Sequence, residues 1–305
     1  MLYYLFLVLF TSCSSNENTI ENVEKQPDGE FLDDWTYKVN SQKYNFDIGE
    51  FKVWVPENDD DLKALLVLVP HRNGNGLYLS YSSEWQEFAK QEKLALCGVN
   101  LKGNEYTEAS DGSGKALLMA IEKIAKKNDV LKLISLPLIF RGYSAGGVFS
   151  YNFSSYKPQS VAGFVNIRGG SISQLTTTNN NNIPGLILAG EHEGENRINY
   201  IKNIILDKRS QSALWNFAIE PNATHFSNLS DSDQLAKIFF KSILKKKISD
   251  NNQINILDEQ EGWLGDPITK NVSTYSDYPD DKNKAFWLID EIYAKAWKEF
   301  QTKIN

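Results

Sequence analysis

Short apolar runs alternate with amphipathic segments along most of this chain. The runs, which predict strands, occupy residues 52–56, 64–69, 94–99, 137–141, 161–167, 186–189 and 214–219. The amphipathic segments, which predict helices, occupy residues 83–92, 113–127, 145–155, 197–208 and 230–246. Several runs are apolar throughout, as is typical of parallel strands buried on both faces. The pattern predicts an α/β fold with an open, mostly parallel sheet and helices on both faces.

The first residues have a different pattern. The apolar run over residues 2–10 is too short to span a bilayer as a helix. It leads to Cys13 and then to a mostly polar stretch that continues to residue 30. This pattern resembles a bacterial lipoprotein signal, in which Cys13 would become the lipidated first residue, with an ordinary signal peptide as the alternative. We therefore expect a lipid-anchored protein of the cell envelope; the alternative is a periplasmic or secreted protein.

The regular alternation also ends near residue 248. The segment that follows contains Trp263, Trp287 and Trp297, an aromatic content too high for disorder. We predict that it packs on the main domain and ends in a helix over residues 286–303. The predicted organisation is a signal and polar tether over residues 1–30, an α/β domain over residues 31–248 and a C-terminal extension over residues 249–305.

Composition and charge restrict the function. The net charge is −7, and no basic stripe offsets it, which excludes nucleic acid as the expected partner because a polyanion would be repelled. The two cysteines, Cys13 and Cys97, can form neither a disulfide framework nor a cysteine-based metal site. Cys97 lies in an apolar run and is expected to be a buried small hydrophobe. We expect a monomer without a metal or an organic cofactor, attached to the membrane only through its lipid.

The segment after the run 137–141 has the pattern Gly-x-Ser-x-Gly, with Gly142, Ser144 and Gly146. At a sharp strand-to-helix turn, the serine hydroxyl is exposed above the sheet, and glycines are needed because a Cβ would clash. The start of the helix places backbone N–H groups beside the serine. Ser144 is therefore the candidate nucleophile.

A serine nucleophile needs a histidine base and a carboxylate that orients the histidine. His225 follows the strand predicted over residues 214–219 and is the candidate base. Glu191, Glu193 and Glu195 follow the preceding strand, and we favour Glu193, with Glu195 second, because Gly190 and Glu193 match a Gly-x-x-acid pattern. The order of serine, acid and histidine is that of the α/β-hydrolases.

The loop after the strand predicted over residues 64–69 carries the candidate oxyanion hole. Its sequence, Pro-His-Arg-Asn-Gly, contains Arg72 and Asn73, either of which could donate a backbone N–H. The other donor would be the N–H of Ala145, the residue after the nucleophile. His71 is expected to brace this loop, and an ordinary turn between strand and helix is the alternative.

These motifs resemble those of the α/β-hydrolase superfamily over residues 51–246. Within it, the chain is most similar to the polyhydroxybutyrate-depolymerase-like esterases, which include feruloyl and acetylxylan esterases. The matching pieces are residues 70–74, 142–147, 184–193 and 224–225. The resemblance implies a serine carboxylic-ester hydrolase that works through an acyl-serine, without a cofactor, on esters of extracellular polymers or polysaccharides. The alternatives are an inactive lipoprotein that binds glycans or polymers, and a serine peptidase of the same fold.

Overall fold

The computed structural model describes residues 28–57, 61–170 and 179–303. Cys13 and the predicted signal segment lie outside the described residues. Within these residues, no helix combines the length and the apolar character needed to cross a membrane.

In the described part of the chain, nine strands form the central sheet. They are β1 (Gly29–Asp33), β2 (Thr36–Val39), β3 (Ile48–Trp54), β4 (Ala64–Val69), β5 (Leu94–Lys102), β6 (Leu138–Tyr143), β7 (Val161–Ile167), β8 (Gly185–Gly190) and β9 (Trp215–Glu220). Their order across the sheet is β1-β2-β3-β5-β4-β6-β7-β8-β9. Strands β4 to β9 are parallel, whereas β1, β2 and β3 pair antiparallel with their neighbours.

Six α-helices of the described residues accompany the sheets. They are α1 (Ser83–Glu92), α2 (Ser113–Lys127), α3 (Ala145–Tyr156), α4 (Glu195–Arg209), α5 (Ser230–Lys246) and α6 (Glu291–Thr302). Helix α1 packs on β5 and α5, whereas α2 packs on β2 and β3, and α3 on β6 and β7. Each residue of β4 is at most 1% exposed, as expected for a strand covered on both faces. The predicted α/β-hydrolase fold is confirmed.

The sheet order creates a switch point beside β4. The chain places β5 on one side of β4 and then returns to place β6 on the other side. The loops that follow β4 and β6 therefore leave the same edge of the sheet in different directions. This divergence opens a crevice at the carboxyl ends of the two strands. The candidate nucleophile and the candidate oxyanion loop both lie at this crevice.

Near both ends of the described residues, the structure differs from the prediction. Strand β1 includes Gly29 and Glu30, which lie within the predicted tether but pair with β2. The helix predicted over residues 286–303 was wrong at its start. Phe286–Leu288 forms strand β12, and Asp290 then caps α6 by accepting a hydrogen bond from the N–H of Tyr293 at 2.8 Å. The buried apolar run over residues 286–288 pairs with another strand instead of forming the start of the helix.

A small three-stranded sheet lies in the C-terminal segment. It consists of β10 (Trp263–Gly265), β11 (Val272–Thr274) and β12 (Phe286–Leu288), with β10 in the centre. Helix α6 packs on β9 and α5. The indole N–H of Trp297 donates to the carbonyl oxygen of Phe217 at 2.9 Å, and the hydroxyl of Tyr293 donates to Oδ1 of Asn216 at 2.7 Å. These contacts join the segment to the outermost strand of the main sheet.

Candidate active site

Ser144 occupies the sharp turn between β6 and α3. Its φ of 54° and ψ of −120° lie outside the regions that a residue with a side chain prefers. A hydrogen bond from its N–H to the carbonyl oxygen of Ile167, at 2.8 Å, holds the turn against the neighbouring strand. A Cβ at Gly142 would overlap the backbone of Gly146, and one at Gly146 would overlap the carbonyl oxygen of Pro70. The two glycines are thus required by the tightness of this turn.

The hydroxyl of Ser144 faces His225, which lies in the loop after β9. Ser144 Oγ is 3.0 Å from His225 Nε2. On the far side of the ring, His225 Nδ1 is 2.7 Å from Oε1 of Glu193. An ionised carboxylate can only accept, so Nδ1 carries the hydrogen and Nε2 is left to accept the serine proton. The structure thus brings the predicted serine, acid and histidine together in hydrogen-bonding order.

Glu193 is the carboxylate that reaches the histidine. It lies in the short turn between β8 and α4, and its side chain is only 2% exposed. Its second oxygen, Oε2, accepts a hydrogen bond from the N–H of Gly190 at 2.8 Å. Glu191 instead accepts a hydrogen bond from the N–H of Asn222 at 2.7 Å, and Glu195 is an exposed residue at the start of α4. The geometry therefore favours Glu193 over the two alternatives.

Tyr143, the residue before the serine, secures the histidine loop. Its hydroxyl donates to the carbonyl oxygen of His225 at 2.8 Å, and the two rings lie 5.8 Å apart. Burial raises the pKa of the Tyr143 hydroxyl, so the group remains a protonated donor at neutral pH. The nucleophile turn and the loop of the base are therefore joined directly.

The candidate oxyanion loop adjoins the nucleophile turn. The ring of His71 lies edge-on to that of Tyr143 at 5.8 Å, and its Nδ1 is 3.0 Å from the carbonyl oxygen of Arg72. The side chain of Arg72 turns away and donates to the carbonyl oxygen of Asn104 at 2.9 Å. Asn73 adopts a left-handed φ of 57°, and its Oδ1 accepts a hydrogen bond from the N–H of Gly103 at 3.0 Å. That the backbone N–H of Arg72 or of Asn73 donates to an oxyanion stays a prediction.

The N–H of Ala145 is available at the first position of α3. Within the described parts of the chain, it donates to no other group. The first N–H groups of a helix have no partner in the helix and point toward negative charge that approaches its end. This group is therefore placed to stabilise an oxyanion on an acyl group attached to Ser144.

Arg168 is a site residue that the sequence analysis missed. It follows β7, is fully buried, and has a left-handed φ of 56°. Its guanidinium donates to the carbonyl oxygens of His225 at 3.2 Å and Ser227 at 2.7 Å, and to the carboxylate of Glu220 at 2.6 Å. A charged residue directly after a buried strand was the available signal, since that position shares the sheet edge with Ser144. Arg168 fixes the backbone of the loop that carries the base.

The site has the elements of nucleophilic acyl transfer. A partly buried serine hydroxyl contacts a base, the base is oriented by a buried carboxylate, and a helix N-terminus lies beside the serine. The structure shows no group of three or more His, Cys, Asp or Glu side chains arranged to hold a metal in the ranges 28–57, 61–170 and 179–303.

Comparison of the sequence with protein-family models and with curated proteins gives no match. Among solved structures, a thermostable esterase is similar over 58% of this chain, which spans about half (52%) of that protein, at 16% identity and a TM-score of 0.45. FphF, a fluorophosphonate-binding serine hydrolase of Staphylococcus aureus, is similar over 72% of this chain and 99% of its own, at 14% identity and a TM-score of 0.47. Poly(aspartic acid) hydrolase-1 of Sphingomonas sp. KT-1 is similar over 66% and 96%, at 14% identity and a TM-score of 0.47.

Proposed function

We propose that this protein is a serine hydrolase that cleaves carboxylic esters through an acyl-serine intermediate. The observation that carries the proposal is the continuous chain of contacts from Ser144 Oγ to His225 Nε2, at 3.0 Å, and from His225 Nδ1 to Glu193, at 2.7 Å. The nucleophile occupies a strained backbone conformation, which is a cost that folds retain mainly at functional sites.

The reaction follows from these contacts. His225 Nε2 takes the proton of Ser144 as Oγ forms a bond to the ester carbonyl carbon, and the carbonyl oxygen becomes an oxyanion beside the N–H of Ala145. When the intermediate collapses, the bond to the alcohol oxygen breaks and the imidazolium returns its proton to that oxygen. Water then repeats the sequence: it loses a proton to His225, attacks the acyl carbon, and releases the acid and free Ser144.

Labelling with a fluorophosphonate, together with hydrolysis of p-nitrophenyl acetate, tests the proposal. The wild type should be labelled and active, and Ser144→Ala should be neither. Ser135→Ala, which removes an exposed hydroxyl before the amino end of β6, is the matched control and should behave as the wild type. Labelling that survives in Ser144→Ala would exclude this serine as the nucleophile.

The same experiment separates the alternatives. A binding protein on a hydrolase scaffold would bind glycans or polymers and show no labelling in the wild type. A peptidase would be labelled and would cleave peptide bonds as well as activated esters, whereas a carboxylesterase would leave peptide bonds intact. An ester panel with acetyl, feruloyl and longer acyl groups then tests the finer proposal, which is activity of the polyhydroxybutyrate-depolymerase-like type on extracellular polymers or polysaccharides.

We further propose that the protein acts at the cell envelope, anchored by a lipid on Cys13, and as a monomer. The support is the short apolar run that precedes this cysteine and the polar stretch that follows it. In a bacterial host, metabolic labelling with a fatty-acid analogue should mark the wild type and not Cys13→Ser. Equal labelling, or a purely soluble wild type, would refute the anchor.

A further inference from the structure

Arg197 contacts the carboxylate of the candidate triad from the first turn of α4. Its Nε lies 3.3 Å from Oε1 of Glu193, the same oxygen that faces His225 Nδ1. Among the described residues, this Nε has no well-aligned hydrogen-bond acceptor. The contact with Glu193 is therefore an ion pair whose strength depends on charge more than on hydrogen-bond direction.

Two contacts with the segment after β7 fix the position of Arg197. Its Nη2 donates to the carbonyl oxygen of Arg168 at 2.9 Å, and its guanidinium fills the space that a Cβ at Gly170 would occupy. Arg168 in turn holds the carbonyl oxygen of His225. Arg197 thus connects the loop of the acid with the residue that fixes the loop of the base.

Other charged and titratable groups lie on the neighbouring elements, where they contact Tyr143, the loop of His225 or one another. They are Tyr143 at the end of β6 with Arg141 and Asp233 behind it, His71 in the loop after β4, Arg168 after β7, Glu220 at the end of β9 and Glu191 after β8. Asp233 accepts two hydrogen bonds from Arg141, and Glu220 accepts one from Arg168, so these charges are paired with each other. Neither arginine of this set pairs with Glu193; among the described residues, Arg197 is the one arginine or lysine that forms an ion pair with it.

We propose that Arg197 is a positioning residue for the triad acid: it holds the carboxylate of Glu193 in the position from which that carboxylate orients His225. The inference rests on the proposed function. The guanidinium of Arg197 attracts Oε1 of Glu193 to one position, between Nε of Arg197 and Nδ1 of His225. Without this contact, the carboxylate can rotate away from the ring, and His225 is then less often oriented toward Ser144.

The test is a comparison of kcat and KM for p-nitrophenyl acetate at one fixed pH. In Arg197→Met, kcat should fall roughly tenfold while KM stays near its wild-type value. In Arg197→Lys, which keeps the charge, most of kcat should be recovered. Lys202→Met, which removes a cation from the same helix at a position without a contact to Glu193, should leave kcat unchanged.

The outcomes distinguish this inference from the proposed function. If Arg197→Met folds by thermal melting, and its kcat does not fall, the inference is wrong even though Ser144 is still labelled. Equal losses of kcat in the Met and Lys variants would show a packing role alone and would also overturn the inference. If Arg197→Met does not fold, Arg197→Gln provides the same comparison. A wild type without labelling and hydrolysis would instead refute the proposed function.

Discussion

Oε1 of Glu193 lies 2.7 Å from Nδ1 of His225 and thereby selects one of three neighbouring acids as the partner of the base. We predict that Glu193→Gln lowers kcat at least about a hundredfold, because an amide supplies no charge to stabilise the imidazolium. Glu191→Gln and Glu195→Gln are the matched controls and should lose little, since neither carboxylate contacts the ring. Steady-state kinetics on one ester measures all three. Similar losses in the three variants would contradict the assignment.

The nucleophile turn leaves no room for a side chain at Gly142. An added Cβ would overlap the backbone of Gly146, which cannot move without displacing α3. We predict that Gly142→Ala lowers the free energy of unfolding by more than about 3 kcal/mol or prevents folding. Gly194→Ala is the control, because Gly194 has a φ of 94° and nothing within 4 Å of the new Cβ. It should lose only about 1 kcal/mol, in denaturant titrations, from backbone strain.

Phe226 is exposed beside the base. Its side chain is 88% accessible, and its ring lies edge-on to that of His225 at 5.0 Å. We predict that Phe226→Ala raises KM roughly fivefold for esters with aromatic or long acyl groups, because it removes apolar surface that such groups can cover. Acetyl esters and the melting temperature should change little. Ile256→Ala, at another site with 89% exposure, should leave every KM as it was; parallel changes in both variants would contradict the prediction.

Lys247 makes stability depend on pH. Its ammonium group donates to the carbonyl oxygens of Asn182 and Asn255 at 3.0 and 3.1 Å, and burial lowers its pKa from 10.5 to about 8. Between these pH values the unfolded chain binds more protons than the folded one, so this group makes the free energy of unfolding rise with pH. From about pH 7 to about pH 9.5, we expect the wild type to gain on the order of 2 kcal/mol relative to Lys247→Met.

Denaturant titrations of the two proteins at both pH values measure this difference. The thiol of Cys97, whose pKa burial raises to about 12, is present in both proteins, and its effect therefore cancels. A difference in unfolding free energy that does not change with pH would show that Lys247 is not desolvated in the folded state.

The elements of the main sheet follow from local sequence. Residues 64–69 and 161–167 form strands with the predicted bounds, and residues 83–92 and 230–246 form helices with the predicted bounds. A strand that is apolar throughout must be buried on both faces. Its sequence therefore predicts a strand even when the neighbouring strands are not known. Cys97 is fully buried, as its run predicted.

Local sequence was less informative where pairing determines the element. Phe286–Leu288 has a pattern compatible with a helix, and only its partner β10 makes it a strand. The hairpin of β1 and β2 was missed for the same reason, because its exposed outer strand has no continuous apolar run. A strand needs a neighbouring strand for its backbone hydrogen bonds, and local sequence does not show which segment will be that neighbour.

The sequence by itself determined which residues could carry the chemistry, because chain order and strand ends restrict a serine, an acid and a histidine to one edge of a parallel sheet. The tertiary structure decided which of the three glutamates faces His225, and it placed Arg168 and Arg197 around the pair. These choices depend on side chains from the segments after β7, β8 and β9 and from α4, which meet within about 3 Å. Such distances arise from packing between segments far apart in the chain, which no local pattern encodes.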